Sequence, residues 1–86
     1  SMAYYNRGVA KARLGDDRGA ISDYSKAIEI DPNLAQPYSN RANAKARLGD
    51  QRGAMDDFNK AIKLKPDYGD AYANRGILKL TKKDFR

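Results

Sequence analysis

The side chains able to do chemistry in this chain are almost all hydroxyls, carboxylates, cations and amides. His and Cys are absent, which removes the usual general base, the activated thiol and the commonest transition-metal ligand together. Ser22, Ser25, Ser39 and Thr81 have no base beside them, and no glycine-rich phosphate loop occurs. The acids Asp16-Asp17, Asp56-Asp57 and Asp31 lack the spacing of a calcium loop and read as helix caps and turns. No catalytic, metal or cofactor residue is assigned, and an enzyme is the weakest class. What remains is recognition chemistry carried by recurring columns: Arg7, Arg41 and Arg75; Lys11, Lys45 and Lys79; Arg13 and Arg47; Asn6, Asn40 and Asn74. Guanidinium forks and amides are the groups that hold carboxylates and peptide backbones.

The columns exist because the chain repeats itself. Tyr4 to Pro32 reads YYNRGVAKARLGDDRGAISDYSKAIEIDP, Tyr38 to Pro66 reads YSNRANAKARLGDQRGAMDDFNKAIKLKP at an offset of 34 residues, and a third copy opens at Tyr72 with YANRGILK. A fixed period of this size marks a stacked architecture in which each unit buries its apolar face on its neighbour. Stacking matters here, since 86 residues make a marginal core of ordinary globular type. Hydrophobic content of 41% and charged content of 33% fit a folded chain with a solvated exterior. No apolar run approaches membrane-spanning length. No signal peptide is visible, Ser1-Met2 reads as a cloning remnant, and a cytoplasmic location is expected.

Each copy holds two helix-length segments. In the first, Tyr4, Gly8 and Ala12 recur every four residues, and Ala20, Tyr24, Ala27 and Ile28 follow at three- and four-residue steps. Leu14-Gly15-Asp16 and Leu48-Gly49-Asp50 each supply a stop and then an N-cap, so the helices of one copy lie antiparallel. Pro32 and Pro66 close the second helices, Asn33 or Asp67 is placed to cap the next helix, and Pro37 fits a first turn. The pattern predicts helices over 3–14, 17–30, 35–48, 51–64 and 69–82. Gly19 and Gly53, early in second helices, each cost about 1 kcal/mol relative to Ala with no evident return.

Tyr4, Gly8, Ala20, Tyr24, Ala27 and Pro32, repeated as Tyr38, Ala42, Ala54, Phe58, Ala61 and Pro66 and restarted at Tyr72 and Gly76, closely resemble the tetratricopeptide repeat family. The resemblance implies an all-α, right-handed superhelical solenoid of antiparallel helix pairs: one array over 1–86, with repeat one at 1–34, repeat two at 35–68 and a partial third at 69–86. One departure stands out. Arg7, Arg41 and Arg75 replace the Leu usual in the family, and are expected to pair with Asp23 and Asp57 across the helix seam. The alternative is that their stems lie on the surface and their heads stay in water.

In the family the concave groove is lined by the first helix of each repeat. By the resemblance this assigns Tyr5, Val9, Ala12 and Arg13, then Ser39, Asn40, Asn43, Ala46 and Arg47, then Asn74 and Ile77, a mixture suited to a peptide with acidic groups. Tyr5, Val9 and Ile77 are equally readable as packing at an end of the stack. One branch of the family clamps the terminal carboxylate of chaperone tails. Its positions fall here on Tyr5, Val9, Asn40, Asp70 and Asn74, or one repeat later on Ser39, Asn43 and Asn74, and neither set completes the clamp. The implied function is a non-catalytic scaffold binding a peptide of unspecified sequence.

A net charge of +6 opens a second possibility, a ladder of Lys11, Lys45, Lys79, Arg13 and Arg47 against a nucleic-acid backbone. Stacking aromatics would favour it, but most Tyr and Phe are committed to packing. A spacer role in a longer array is the third. The third copy stops where its second helix should begin, so Leu78, Leu80 and Phe85 are expected at a self-association contact.

Overall fold

The structure, a computed structural model, describes residues 2–66 and Arg75. It contains α1 (Met2–Arg13), α2 (Asp17–Ile30), α3 (Ala35–Arg47) and α4 (Gln51–Leu64), with no strand among the described residues. The expected fifth helix, with Asn74, Ile77, Leu78, Leu80 and Phe85, lies outside them.

The turn between α1 and α2 is built almost entirely by three residues. Gly15 takes φ +86°, the left-handed conformation that ends a helix. Its N–H donates to the Ala12 carbonyl at 3.0 Å and the Asp16 N–H to the Lys11 carbonyl at 2.8 Å, which satisfies two carbonyls that the helix end leaves open. The Asp16 carboxylate then accepts from the Gly19 N–H at 2.9 Å and starts α2. Gly49, Asp50 and Gly53 repeat the arrangement between α3 and α4 at the same distances.

The cap also accounts for Gly19 and Gly53. A Cβ on Gly19 would run into the Asp16 carboxylate, within 2.8 Å of its Cγ, and Gly53 stands in the same relation to Asp50. Helix α3 starts differently from the expectation. Its N-cap is Leu34, with no side-chain cap bond, and Asn33 instead gives its N–H to the Asp31 carboxylate at 3.3 Å. The helix opens at Leu34, whose apolar side chain has no acceptor, and Asn33 stands one residue outside the cap position.

Alanines and a few large rings make the core, Tyr24 in the first hairpin and Tyr38 and Phe58 in the second. Ala20, Tyr24 and Ala27 are buried in the first hairpin, with Gly8 facing them; Tyr38, Ala42, Ala54, Phe58, Ala61 and Ile62 are buried in the second. Side chains this small let helix axes approach closely, and Tyr24 or Phe58 fills the space beside them. A Cβ on Gly8 would lie 2.7 Å from Tyr24 Cε1, so the ring rests directly on the α1 backbone. Helix α1 packs on α2, α2 on α3 and α3 on α4; α1 also meets α3, whereas α2 and α4 do not touch. The stack therefore curves with α1 and α3 on its inner side.

Candidate functional site

Two buried carboxylates, one per repeat, organise the cations. Asp23 accepts from Arg7 Nε at 2.9 Å and Nη2 at 2.8 Å, and Asp57 accepts from Arg41 Nε and Nη2, both at 2.8 Å. These are the pairs expected from sequence, in two-pronged geometry that suits a carboxylate leaving water. Lys11 Nζ adds a contact to Asp23 at 3.3 Å and Lys45 Nζ to Asp57 at 3.1 Å. Hydrogen bonding from Arg7 holds the Asp23 carboxyl below the usual carboxylate range, with burial working against it and Lys11 assisting. Asp57 and the same contact one repeat on hold the Arg41 guanidinium above its usual range.

Arg41 reaches further than Arg7. Its Nη1 donates to Ser25 Oγ of the preceding hairpin at 3.1 Å, and Arg75, one repeat later, donates from Nη1 to Asn59 Oδ1 at 2.7 Å. Thus Arg41 ties α3 both to its own hairpin and to the one before it, and Arg75 makes the corresponding tie back to α4. Ser25 is an acceptor in that tie.

On the inner side, α1 and α3 flank a cavity of about 250 Å³ lined by Val9, Ala12, Arg13, Tyr24, Asn40, Asn43 and Arg47. Six of these carry side chains assigned to the groove from the sequence. Tyr24 was assigned to packing alone; it is buried, yet its edge forms part of the cavity lining, and burial pushes its phenol up so that it stays neutral. Gly8, opposite Tyr24, where repeat two sets Ala42 against Phe58, is the signal in the sequence that this ring sits differently from its counterpart.

Two other assignments look different in three dimensions. Tyr5 does not line this cavity; its ring lies 5.9 Å from that of Tyr24 and its hydroxyl accepts from Asn40 Nδ2 at 3.2 Å. Ser39, in the column of Tyr5, is only 2% exposed and offers a ligand nothing. The reason is position in the stack: Tyr5 is on the first helix, whereas Ser39 is on α3, which has a hairpin packed behind it.

The cavity is cationic but not uniformly so. Arg47 is held by Asp17, whose Oδ1 accepts from Nε at 2.9 Å and Nη2 at 2.8 Å. Asp17 was missed by sequence reasoning because repeat two has Gln51 in its place and the pair joins different repeats. Arg13 is exposed and has no ion-pair or hydrogen-bond partner among the described residues. Among the described members of the expected basic ladder, Lys11, Lys45 and Arg47 all meet carboxylates and Arg13 is left to a ligand; Lys79 lies outside the described residues. Among the described residues no group of three or more His, Cys, Asp or Glu converges as a metal site, and no helix is long and apolar enough to cross a membrane.

Comparison with known proteins agrees with this architecture. The tetratricopeptide repeat profile matches residues 1–34 and again 35–68, while a search of curated proteins returned no match. Among solved structures, the first tetratricopeptide domain of Spaghetti (RPAP3) bound to the HSP90 peptide SRMEEVD superposes with a TM-score of 0.92 at 29% identity, over 96% of this chain and 68% of that one. The second domain of the same protein, bound to the same peptide, gives 0.91 at 28% over 96% and 77%. The TPR2B-domain:pHsp70 complex of yeast Sti1 gives 0.93 at 30% over 98% and 67%. With two matching repeats, the helix order and these superpositions, the chain belongs to the tetratricopeptide repeat family.

Proposed function

We propose that this chain is a non-catalytic interaction scaffold that holds a peptide in the channel between α1 and α3. The observation that carries the reading is Arg13, an unpaired cation beside the Asn40 and Asn43 amides on the wall of an open cavity. A guanidinium fork next to amides binds carboxylate and backbone together. The similar domains of Spaghetti and Sti1 carry peptides in their structures, which supports the same class of ligand here. By the repeat, the proposed groove continues to Asn74 and Ile77 in a partial third repeat. Nucleic acid is the weaker ligand, since Lys11, Lys45 and Arg47 are already engaged by Asp23, Asp57 and Asp17.

The test is a titration of isotope-labelled protein with SRMEEVD, followed by backbone and side-chain amide resonances. Shifts are expected at Val9, Arg13, Asn40, Asn43 and Arg47, and Arg13→Glu abolishes them. Amidating the peptide terminus has little effect, because Tyr5 and Val9 stand where a terminal-carboxylate clamp needs polar groups. Shifts confined to other surfaces, or binding that survives Arg13→Glu, overturn the assignment.

A further inference from the structure

The channel between α1 and α3 changes character along its length. Beyond the cavity at Arg13 lies a second depression of about 240 Å³, lined by Met2, Tyr5, Leu34, Gln36 and Pro37. Met2, Tyr5 and Leu34 present carbon over the buried Pro37, so this end is suited to an apolar group, whereas the Arg13 end is suited to an anion. The Tyr5–Asn40 hydrogen bond stands between the two ends. In it Asn40 Nδ2 donates and the Tyr5 oxygen accepts, which leaves the Tyr5 O–H as a donor and Asn40 Oδ1 as an acceptor. One donor beside one acceptor is what a peptide backbone unit requires.

From these three features we infer that the site reads an extended peptide with an apolar side chain and, about four residues away, a carboxylate side chain. The spacing comes from the helix. Tyr5 and Arg13 are separated by a little over two turns of α1, about 12 Å at 5.4 Å per turn; an extended chain rises roughly 3.3 Å per residue and alternates its side chains between two faces, so both reach the same groove at a separation of about four residues. The apolar side chain enters beside Met2 and Leu34, the backbone between bonds to Tyr5 and Asn40, and the carboxylate meets Arg13. Recognition of a side-chain carboxylate in mid-sequence needs no free terminus. The inference rests on the peptide reading above and adds the pattern of the ligand.

Peptides acetylated and amidated at their ends, with one Leu and one Glu set apart by a varying number of Gly and Ser, test it against the full chain. Groove resonances should shift most at a separation of about four residues, with apolar-end shifts at Leu34 and Gln36 and cationic-end shifts at Arg13. Replacing Glu by Gln in the peptide should weaken binding about tenfold, as expected for one charge-assisted bond. The same replacement should cost nothing in Arg13→Gln, whose helical circular dichroism is unchanged because Arg13 is exposed and unpaired. Binding in the channel that ignores separation, or a Glu-to-Gln loss that persists in Arg13→Gln, overturns the pattern and leaves the peptide groove standing. Failure of every peptide in the panel and of SRMEEVD to shift any groove resonance overturns both.

Discussion

Asp23 and Asp57 show how a single residue type sets the electrostatics of a repeat: each is buried and each meets one Arg and one Lys. For Asp23 the consequence is measurable as pH dependence. Its carboxyl is held below its ordinary value chiefly by the Arg7 hydrogen bonds, so the ionised form stabilises the fold at any pH above the unfolded pKa of about 3.9. That stabilisation fades as pH falls below this point and is gone below the depressed folded value. Urea denaturation at a series of pH values should show wild-type stability falling from about pH 4 downward. Asp23→Asn should be less stable at neutral pH and should lose part of that acid slope; an unchanged slope would show that Asp23 is not the group responsible. The Arg–Asp pairing was legible in sequence because Arg stood where the family has Leu, which demands a partner. The Lys contacts were not, although Lys11 lies one turn beyond Arg7 on the same face; read as a column, it resembled a ladder of charge facing a ligand. Asp17 escaped for the opposite reason, having no counterpart one repeat on.

The tight turns inside each hairpin were legible from Leu14-Gly15-Asp16 and Leu48-Gly49-Asp50, and the helix ends fell within a residue or so of the sequence pattern. Gly19 and Gly53 were unexplained because their role is a contact with a side chain three residues back, invisible to propensity. Seen in three dimensions, Asp16 and Gly19 form a unit. Gly19→Ala alone should be close to neutral, since a gain of about 1 kcal/mol in helix propensity is offset by disturbing a cap worth about 1 kcal/mol. In an Asp16→Ala background the same change should stabilise by about 1 kcal/mol. Chemical denaturation of the four proteins in this cycle reads the coupling directly, and additive effects would contradict the structural account. Asn33 misled for a related reason: the helix opens one residue later, at Leu34, so the side chain able to cap it stands just outside the cap position.

For the whole molecule, the period of 34 residues made the stack and the inner location of α1 and α3 legible, but equivalent columns do not have equivalent surroundings. Arg7 keeps 57% of its side chain exposed while Arg41, backed by α2, keeps 18%; Tyr5 and Ser39 differ in the same way. The Arg41–Ser25 bond crosses between hairpins, so Ser25→Ala should lower stability by about 1 kcal/mol and make the urea transition less steep as the two repeats lose coupling. A transition of unchanged midpoint and slope would assign the coupling to apolar packing alone. The uneven treatment of helix starts has a mechanical consequence. Within a hairpin, Asp16 or Asp50 clamps the end of one helix and the start of the next with the same residue, so each hairpin behaves as a stiff plate. Between hairpins, α3 begins at Leu34 without such a clamp. The two plates are joined instead by side chains that cross the seam, Arg41 to Ser25, Arg47 to Asp17 and Asn40 to Tyr5, so their relative setting is written in polar contacts that substitutions can remove one at a time.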